Sequence, residues 1–187
     1  MILESKNFLF DQEIVEINNY ILGNNFPWYF QESATSNKFH FFSHGLIQRY
    51  DHTKEEPQSN SDVTPHIMKM FERFADEHKL KVNKITRGCL NLTHHHGKYI
   101  HGDPHVDHEF DHKVFMIYLN NTSGDTIIFD KKYNGKKTVL DVSKKLKIKE
   151  RIKPELGKAI CFDGSYYHTA AFCKPMQRRV VAVLTFV

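Results

Sequence analysis

A chain of 187 residues that is 40% hydrophobic and 13% aromatic has enough apolar side chains for one packed domain, which excludes a disordered or low-complexity protein. Its net charge of +4 and pI near 8.8 are too modest to imply nucleic acid as an obligatory partner. No apolar run is long enough to span a membrane, MILESKNFLFDQE lacks a signal-peptide core, and Cys89, Cys161 and Cys173 stand at no ligand spacing, so a reducing, cytoplasmic setting is expected.

DQEIVEINNYIL, residues 11–22, places Ile14, Ile17, Ile21 and Leu22 at helical spacing, with Asp11 as a cap. FPWYF (26–30) and KFHFFSHGLI (38–47) are aromatic and strand-like, and the aromatic stretch 27–47 is expected to shape a pocket entrance. HTKEEPQSNSD (52–62) reads as a loop. Thr64 as N-cap and Pro65 at the first helical position open a second helix. Its apolar stripe is Ile67, Met70, Phe71, Phe74 and Ala75, which marks it as a support packed on a sheet.

From about residue 82 the pattern changes to strand-length apolar runs: KVNKITRGCLNL, KVFMIYLN, DTIIFD, KAICFDG and RRVVAVLTFV. Helices followed by many strands predict a mainly β, α+β chain whose second half is a sandwich or barrel. No composition break divides the chain, so one domain over 1–187 is expected, with 1–81 supporting a core over 82–187. Residues 131–153 carry nine lysines and one arginine against two acids. They read as a solvated hairpin or long loop keeping an edge soluble, the alternative being a contact surface for an acidic substrate or nucleic acid.

HVDHEFDH (105–112) contains two metal signatures. His108, Glu109 and His112 spell H-E-x-x-H, which needs a helix to bring both imidazoles to one zinc. The stretch holds three His, three acids and two apolar residues, so it has no stripe with which to bury a helix. His105 and Asp107 spell H-x-D, which needs only a strand, because residues i and i+2 share a face. One more imidazole would complete the two-histidine, one-carboxylate set of non-haem iron(II) oxygenases, and YYHTAAF supplies His168. An anionic co-substrate would need a guanidinium, and QRRVVAVLTFV offers Arg178 and Arg179, of which a strand turns only one inward.

The stretch from about 85 to 187 resembles the iron(II)/2-oxoglutarate-dependent dioxygenases, in particular the prolyl 4-hydroxylase-like branch of bacteria and phages. The resemblance is carried, in order, by PHVD (104–107), IYLN (117–120), GDTIIF (124–129), PELGKAICFDG (154–164), YYH (166–168) and RRVVAVLTF (178–186). It implies a double-stranded β-helix, or jelly roll, with iron at its open end. His105, Asp107 and His168 match the iron ligands, and Arg179, with Arg178 as the alternative, matches the anchor of the 2-oxoglutarate carboxylate. Tyr118 matches a tyrosine whose hydroxyl touches that carboxylate, and Asn91 is a candidate for the inner end of the co-substrate.

The implied activity uses Fe(II), 2-oxoglutarate and O2 to hydroxylate a C–H bond of a prolyl, amino-acid-like or peptide substrate, releasing succinate and CO2. The alternatives are a jelly-roll metal-binding module without turnover, a nucleic-acid demethylase of the same superfamily, and a zinc hydrolase using His108 and His112. The remaining histidines of the region, His94, His95, His96, His101, His108 and His112, read as loop residues or as hydrogen-bond donors behind the ligands.

Overall fold

The computed structural model describes residues 2–32, 39–49 and 58–187. In chain order its elements are β1 (Leu3–Ser5), α1 (Asp11–Glu16), a π-helical turn (Ile17–Ile21), β2 (Tyr29–Gln31), β3 (Phe41–Ile47), α2 (Thr64–Glu77), β4 (Ile85–Thr93) and β5 (Lys113–Tyr118). They continue as β6 (Thr126–Lys132), β7 (Ile148–Ile152), β8 (Ala159–Asp163), β9 (Tyr166–Ala170) and β10 (Arg179–Phe186). Most of the 52–62 loop lies outside the described residues.

Two antiparallel sheets face each other. The larger has the order β1-β8-β5-β10-β4-β3-β2 and the smaller β7-β6-β9. Strands adjacent in a sheet but distant in sequence, such as β4 and β10, give the crossed connections of a jelly roll. Strand parity explains why β5 and β10 are apolar without a break. Val114, Met116, Tyr118 and Val181, together with Ile160 and Phe162 of the neighbouring β8, face the small sheet, where they meet Ile128 and Ile152. Phe115, Ile117, Val180, Ala182, Leu184 and Phe186 face outward and are covered by α2.

The stripe of α2 is buried throughout, with Ile67 and Phe74 at 0% exposure. Phe71 and Phe74 meet the Phe115 ring at 5.3 and 5.1 Å. Burying each such ring stabilises the fold by about 1.5–3 kcal/mol. The helix starts differently from the sequence expectation. Val63 is the N-cap, and the Thr64 hydroxyl donates to the Leu46 carbonyl at 2.8 Å, tying the helix to β3. In α1, likewise, Asp11 is already helical. Phe10 precedes it, and the Phe10 N–H is satisfied by the Glu13 carboxylate at 2.8 Å.

The lysine-rich excursion is more than a solvated loop. Its end forms β7, the edge of the small sheet, whose exposed Lys and Glu keep that edge soluble. Its start pairs with the extended segment that leads into the H-x-D motif. Val106 N–H donates to Thr138 O at 2.9 Å, Leu140 N–H to Pro104 O at 2.8 Å, and Val142 N–H to the Asp103 carboxylate at 2.7 Å.

Candidate metal centre

His105 and His168 are cross-strand neighbours. Their backbones form an antiparallel bridge with N–H···O distances of 3.0 and 2.9 Å. Directly opposed residues on one sheet face bring their side chains together, and the two imidazole centroids lie 4.8 Å apart. Asp107, two residues on, lies beyond that bridge with its Oδ2 3.3 Å from His168 Nε2. Two donors at right angles around a metal with ~2.1 Å bonds sit about 3 Å apart, so this spacing is close to a coordination edge. The ligand atoms of His105, Asp107 and His168 all lie within 4.8 Å of one another.

Hydrogen bonding fixes the tautomers. His105 Nδ1 faces the Asp103 carbonyl at 3.0 Å, and His168 Nδ1 faces the Tyr166 carbonyl at 3.1 Å. A carbonyl only accepts, so each Nδ1 spends its proton on the backbone and each Nε2 is the ring atom left to face the common centre. Burial, helped by His168, pushes the His105 pKa down to about 4, so its ring is neutral at pH 7. Burial alone would raise the Asp107 carboxyl, but His168, His105 and Arg87 hold it well below the usual carboxylate range. Asp107 Oδ2 is buried and lacks a hydrogen-bond partner. Two imidazoles with Nε2 turned inward and an ionised carboxylate with an unspent oxygen suit a divalent iron ion on their chemistry.

The same three side chains line a cavity of about 150 Å³ between the sheets. That is room for about five water molecules, the size class of a small organic acid. Val114, Met116, Val181 and Val183 give it apolar walls, and Arg179 projects into it. Arg179 is 3% exposed and donates to Thr126 Oγ1 at 2.8 Å, with its guanidinium 5.5 Å from the Tyr118 ring centroid. Its Nε is buried without a partner. A desolvated guanidinium with donor capacity to spare suits a carboxylate on a small ligand.

The neighbouring Arg178 turns outward and donates to Leu22 O at 2.9 Å, so it stands outside the cavity. Tyr118 also stands outside it. Its fully buried hydroxyl meets Thr126 Oγ1 at 2.7 Å, so it supports Arg179 from behind through Thr126. Asn91 lines the cavity, and its Oδ1 accepts from the Ser43 hydroxyl at 3.1 Å.

Two cavity residues escape a reading by motif. Arg87 Nη1 lies 3.4 Å from Asp107 Oδ1, and Thr126 carries Arg179. Arg87 was accessible by parity: on β4 it shares a face with Asn91, four residues on.

The zinc-peptidase signature does not form. Residues 105–112 contain no helix. His108 Nε2 meets Thr185 Oγ1 at 2.8 Å, and His112 Nδ1 meets Phe110 O at 2.8 Å. A Cβ at Gly164 would overlap the His112 ring, so that histidine packs on the β8–β9 turn. His95 Nδ1 meets Cys173 O at 3.0 Å and His101 Nδ1 meets Gly102 O at 2.7 Å. His94 and His96 stack at 4.6 Å near the cavity mouth, each 4.9 Å from His40. Among the described residues no other trio of His, Cys, Asp or Glu brings its ligand atoms as close as the triad does.

No protein-family model matches the sequence, and no curated protein matches it significantly. Solved structures match over nearly the whole chain. A 2OG-Fe(II) oxygenase family oxidoreductase from Burkholderia pseudomallei is 13% identical with a TM-score of 0.65, covering 99% of this chain and 84% of that one. The non-heme alpha ketoglutarate dependent epimerase SnoN from nogalamycin biosynthesis is 10% identical with a TM-score of 0.67, covering 100% and 78%. A Trichoplax adhaerens prolyl hydroxylase, solved with a hypoxia inducible factor peptide fragment, is 12% identical with a TM-score of 0.63 over 99% of this chain. This chain therefore has the jelly-roll fold of the 2OG-Fe(II) oxygenases and of the prolyl hydroxylases among them.

Proposed function

We propose that the protein is an Fe(II)- and 2-oxoglutarate-dependent oxygenase that hydroxylates a C–H bond of a prolyl, amino-acid-like or peptide substrate. The observation that carries this reading is the shared cavity: a His-Asp-His trio with free ligand atoms lines it together with a buried, underused guanidinium.

His105, Asp107 and His168 would hold the metal through two Nε2 atoms and Oδ2. The fork of Arg179 would take the distal carboxylate of 2-oxoglutarate, and Thr126 and Tyr118 keep that fork aimed. Asn91 stands on the same strand face for the inner end of the co-substrate. Val114, Met116, Val181 and Val183 exclude water from the reacting centre. When bound, iron(II) with 2-oxoglutarate and dioxygen supplies the C–H oxidation and releases succinate and CO2.

A prolyl or peptide substrate is favoured by the cavity mouth, where Phe39, Phe41 and Phe172 offer apolar rings, and by the peptide bound to the Trichoplax enzyme. The test is a succinate-release screen over peptides, free amino acids and nucleic acids with fresh Fe(II). Anaerobic Fe(II) plus 2-oxoglutarate should give a weak visible charge-transfer band that His105→Ala and Asp107→Ala abolish. Succinate formation unchanged in either variant would overturn the assignment. Metal binding without succinate across the screen would favour a binding module.

A further inference from the structure

The ladder that fixes His105 does not reach Asp107. His105 is bridged to both His168 and Val139, but Asp107 lies in a bend with no strand pairing. What holds it comes instead from β4, through Arg87, and from the segment just past β3, through Arg49. Arg49 Nη1 donates to the Asp107 carbonyl at 2.6 Å, and Arg87 Nη1 approaches its Oδ1 at 3.4 Å. Two guanidiniums thus grip Asp107 at its backbone and at one carboxylate oxygen, which leaves the other, Oδ2, unpartnered toward His168.

His108 completes this arrangement. Arg49 Nη1 also donates to His108 Nδ1 at 3.3 Å. A guanidinium has no acceptor, so His108 Nδ1 must be unprotonated and Nε2 must carry the hydrogen. That N–H donates to Thr185 Oγ1 at 2.8 Å, with Thr86 Oγ1 3.2 Å away and the two hydroxyls 2.8 Å from each other. Thr86 lies on β4 and Thr185 on β10, both almost fully buried, at the point where the register of these strands shifts. Such bulges re-aim side chains. The chain of contacts therefore runs from the core of the large sheet, through one histidine in one tautomer and Arg49, to the backbone carbonyl of a residue that the ladder leaves loose, while Arg87 reaches the carboxylate of that residue directly.

We propose that His108, Arg49, Arg87, Thr86 and Thr185 form a brace that positions Asp107 as a metal ligand. His108 and Thr185 act only through other residues. The proposal rests on the reading of His105, Asp107 and His168 as a metal centre, and its test separates the two. Metal ligands depend on the hydrogen-bonded groups behind them, whose loss costs about 10- to 100-fold in affinity.

The test is anaerobic titration of the full chain with Co(II), followed in the visible spectrum, with His105→Ala marking the signal that belongs to this site. Thr185→Val, which keeps the shape and removes the hydroxyl, is expected to weaken Co(II) binding about 10- to 100-fold. Thr185→Ser is expected to restore it, and Arg87→Met to weaken it as Thr185→Val does. Nitrogen-15 NMR of the unsubstituted protein should show His108 protonated at Nε2, a readout that needs no variant to fold. Equal Co(II) affinity in wild type and Thr185→Val, or a His108 protonated at Nδ1, overturns the brace and leaves the metal centre standing. Wild-type protein that binds no Co(II) in a His105-dependent way overturns the metal centre itself.

Discussion

Arg179 is held at one nitrogen by Thr126 and left free at another, deep between the sheets. Burial lowers its pKa from the ordinary arginine value, with Tyr118 and Cys173 acting in the opposite sense, and a guanidinium in protein remains charged regardless. Charge-assisted hydrogen bonds contribute about 1.5–3 kcal/mol each. Arg179→Ala is therefore expected to weaken 2-oxoglutarate binding by about 10- to 100-fold, measured calorimetrically with Mn(II) under nitrogen. Arg178→Ala, changing a side chain that reaches Leu22 instead, should leave that affinity within about twofold. Tyr118→Phe tests the support one contact further back. It removes a hydroxyl paired with Thr126 and is expected to cost about 1 kcal/mol of stability by urea unfolding. Its effect on co-substrate affinity should be smaller than that of Arg179→Ala, because the phenol does not line the cavity.

At the scale of the element, the turn that leads into β6 controls the same corner. Gly124 has φ +99, and a Cβ there would meet Ala171 O and Cys173 Sγ at 3.0 Å and Arg179 Cδ at 3.4 Å. Gly124→Ala combines a left-handed backbone with crowding, so a loss of about 1–3 kcal/mol is expected in chemical unfolding, together with weaker 2-oxoglutarate binding. The strands around this turn show what a sequence can and cannot reveal. β4, β5, β8, β10 and the buried first half of β6 coincide with the five apolar runs, because both faces of the sheets are covered there. β7 has four exposed residues out of five, three of them charged, and no alternation to betray it. β1 is three residues long and is defined by its partner β8 rather than by its own composition. Arg49 stands 58 residues before Asp107, just past the end of β3, and nothing local marks it as a neighbour of the metal site. His105, Asp107 and His168 are legible as a candidate trio because their chemistry is distinctive, although 105–107 forms a bridge and a bend where a strand is expected. Strand parity says that only one of Arg178 and Arg179 turns inward and leaves open which.

For the molecule as a whole, a bidentate ion pair ties the two helices of the helical layer together. Arg73 on α2 donates through Nη1 and Nη2 to the two oxygens of Glu13 on α1, both at 2.8 Å, and through Nη2 to Phe8 O at 3.0 Å. Burial raises the Glu13 carboxyl, but Arg73 and the Phe10 N–H outweigh it, and the net pKa lies below the ordinary 4.5. A carboxyl whose folded-state pKa is depressed stabilises the fold above its unfolded pKa, and that contribution is lost as pH falls through the folded value. Stability should therefore drop as pH falls below about 4.5, and the drop should be shallower in Glu13→Gln, as read from urea midpoints taken across that range. Metal bound only by the folded chain adds stability by mass action, so excess Mn(II) should raise the melting temperature of wild type and not of His105→Ala.

The pairing of the lysine-rich excursion with the H-x-D segment bears on how this surface tolerates change in length. Surface connections ordinarily accept insertions and deletions freely. Here Thr138 and Leu140 are the backbone partners of Val106 and Pro104, on either side of His105. Shortening the tract at its exposed middle, around Ser143 to Lys145, trims a bulge from the outline of the protein. Shortening it by the same amount between Lys137 and Val142 would remove the outer rail of the segment that presents the first imidazole. A sequence region that looks interchangeable by composition is thus divided into a part free to drift and a part bound to the register of its neighbour.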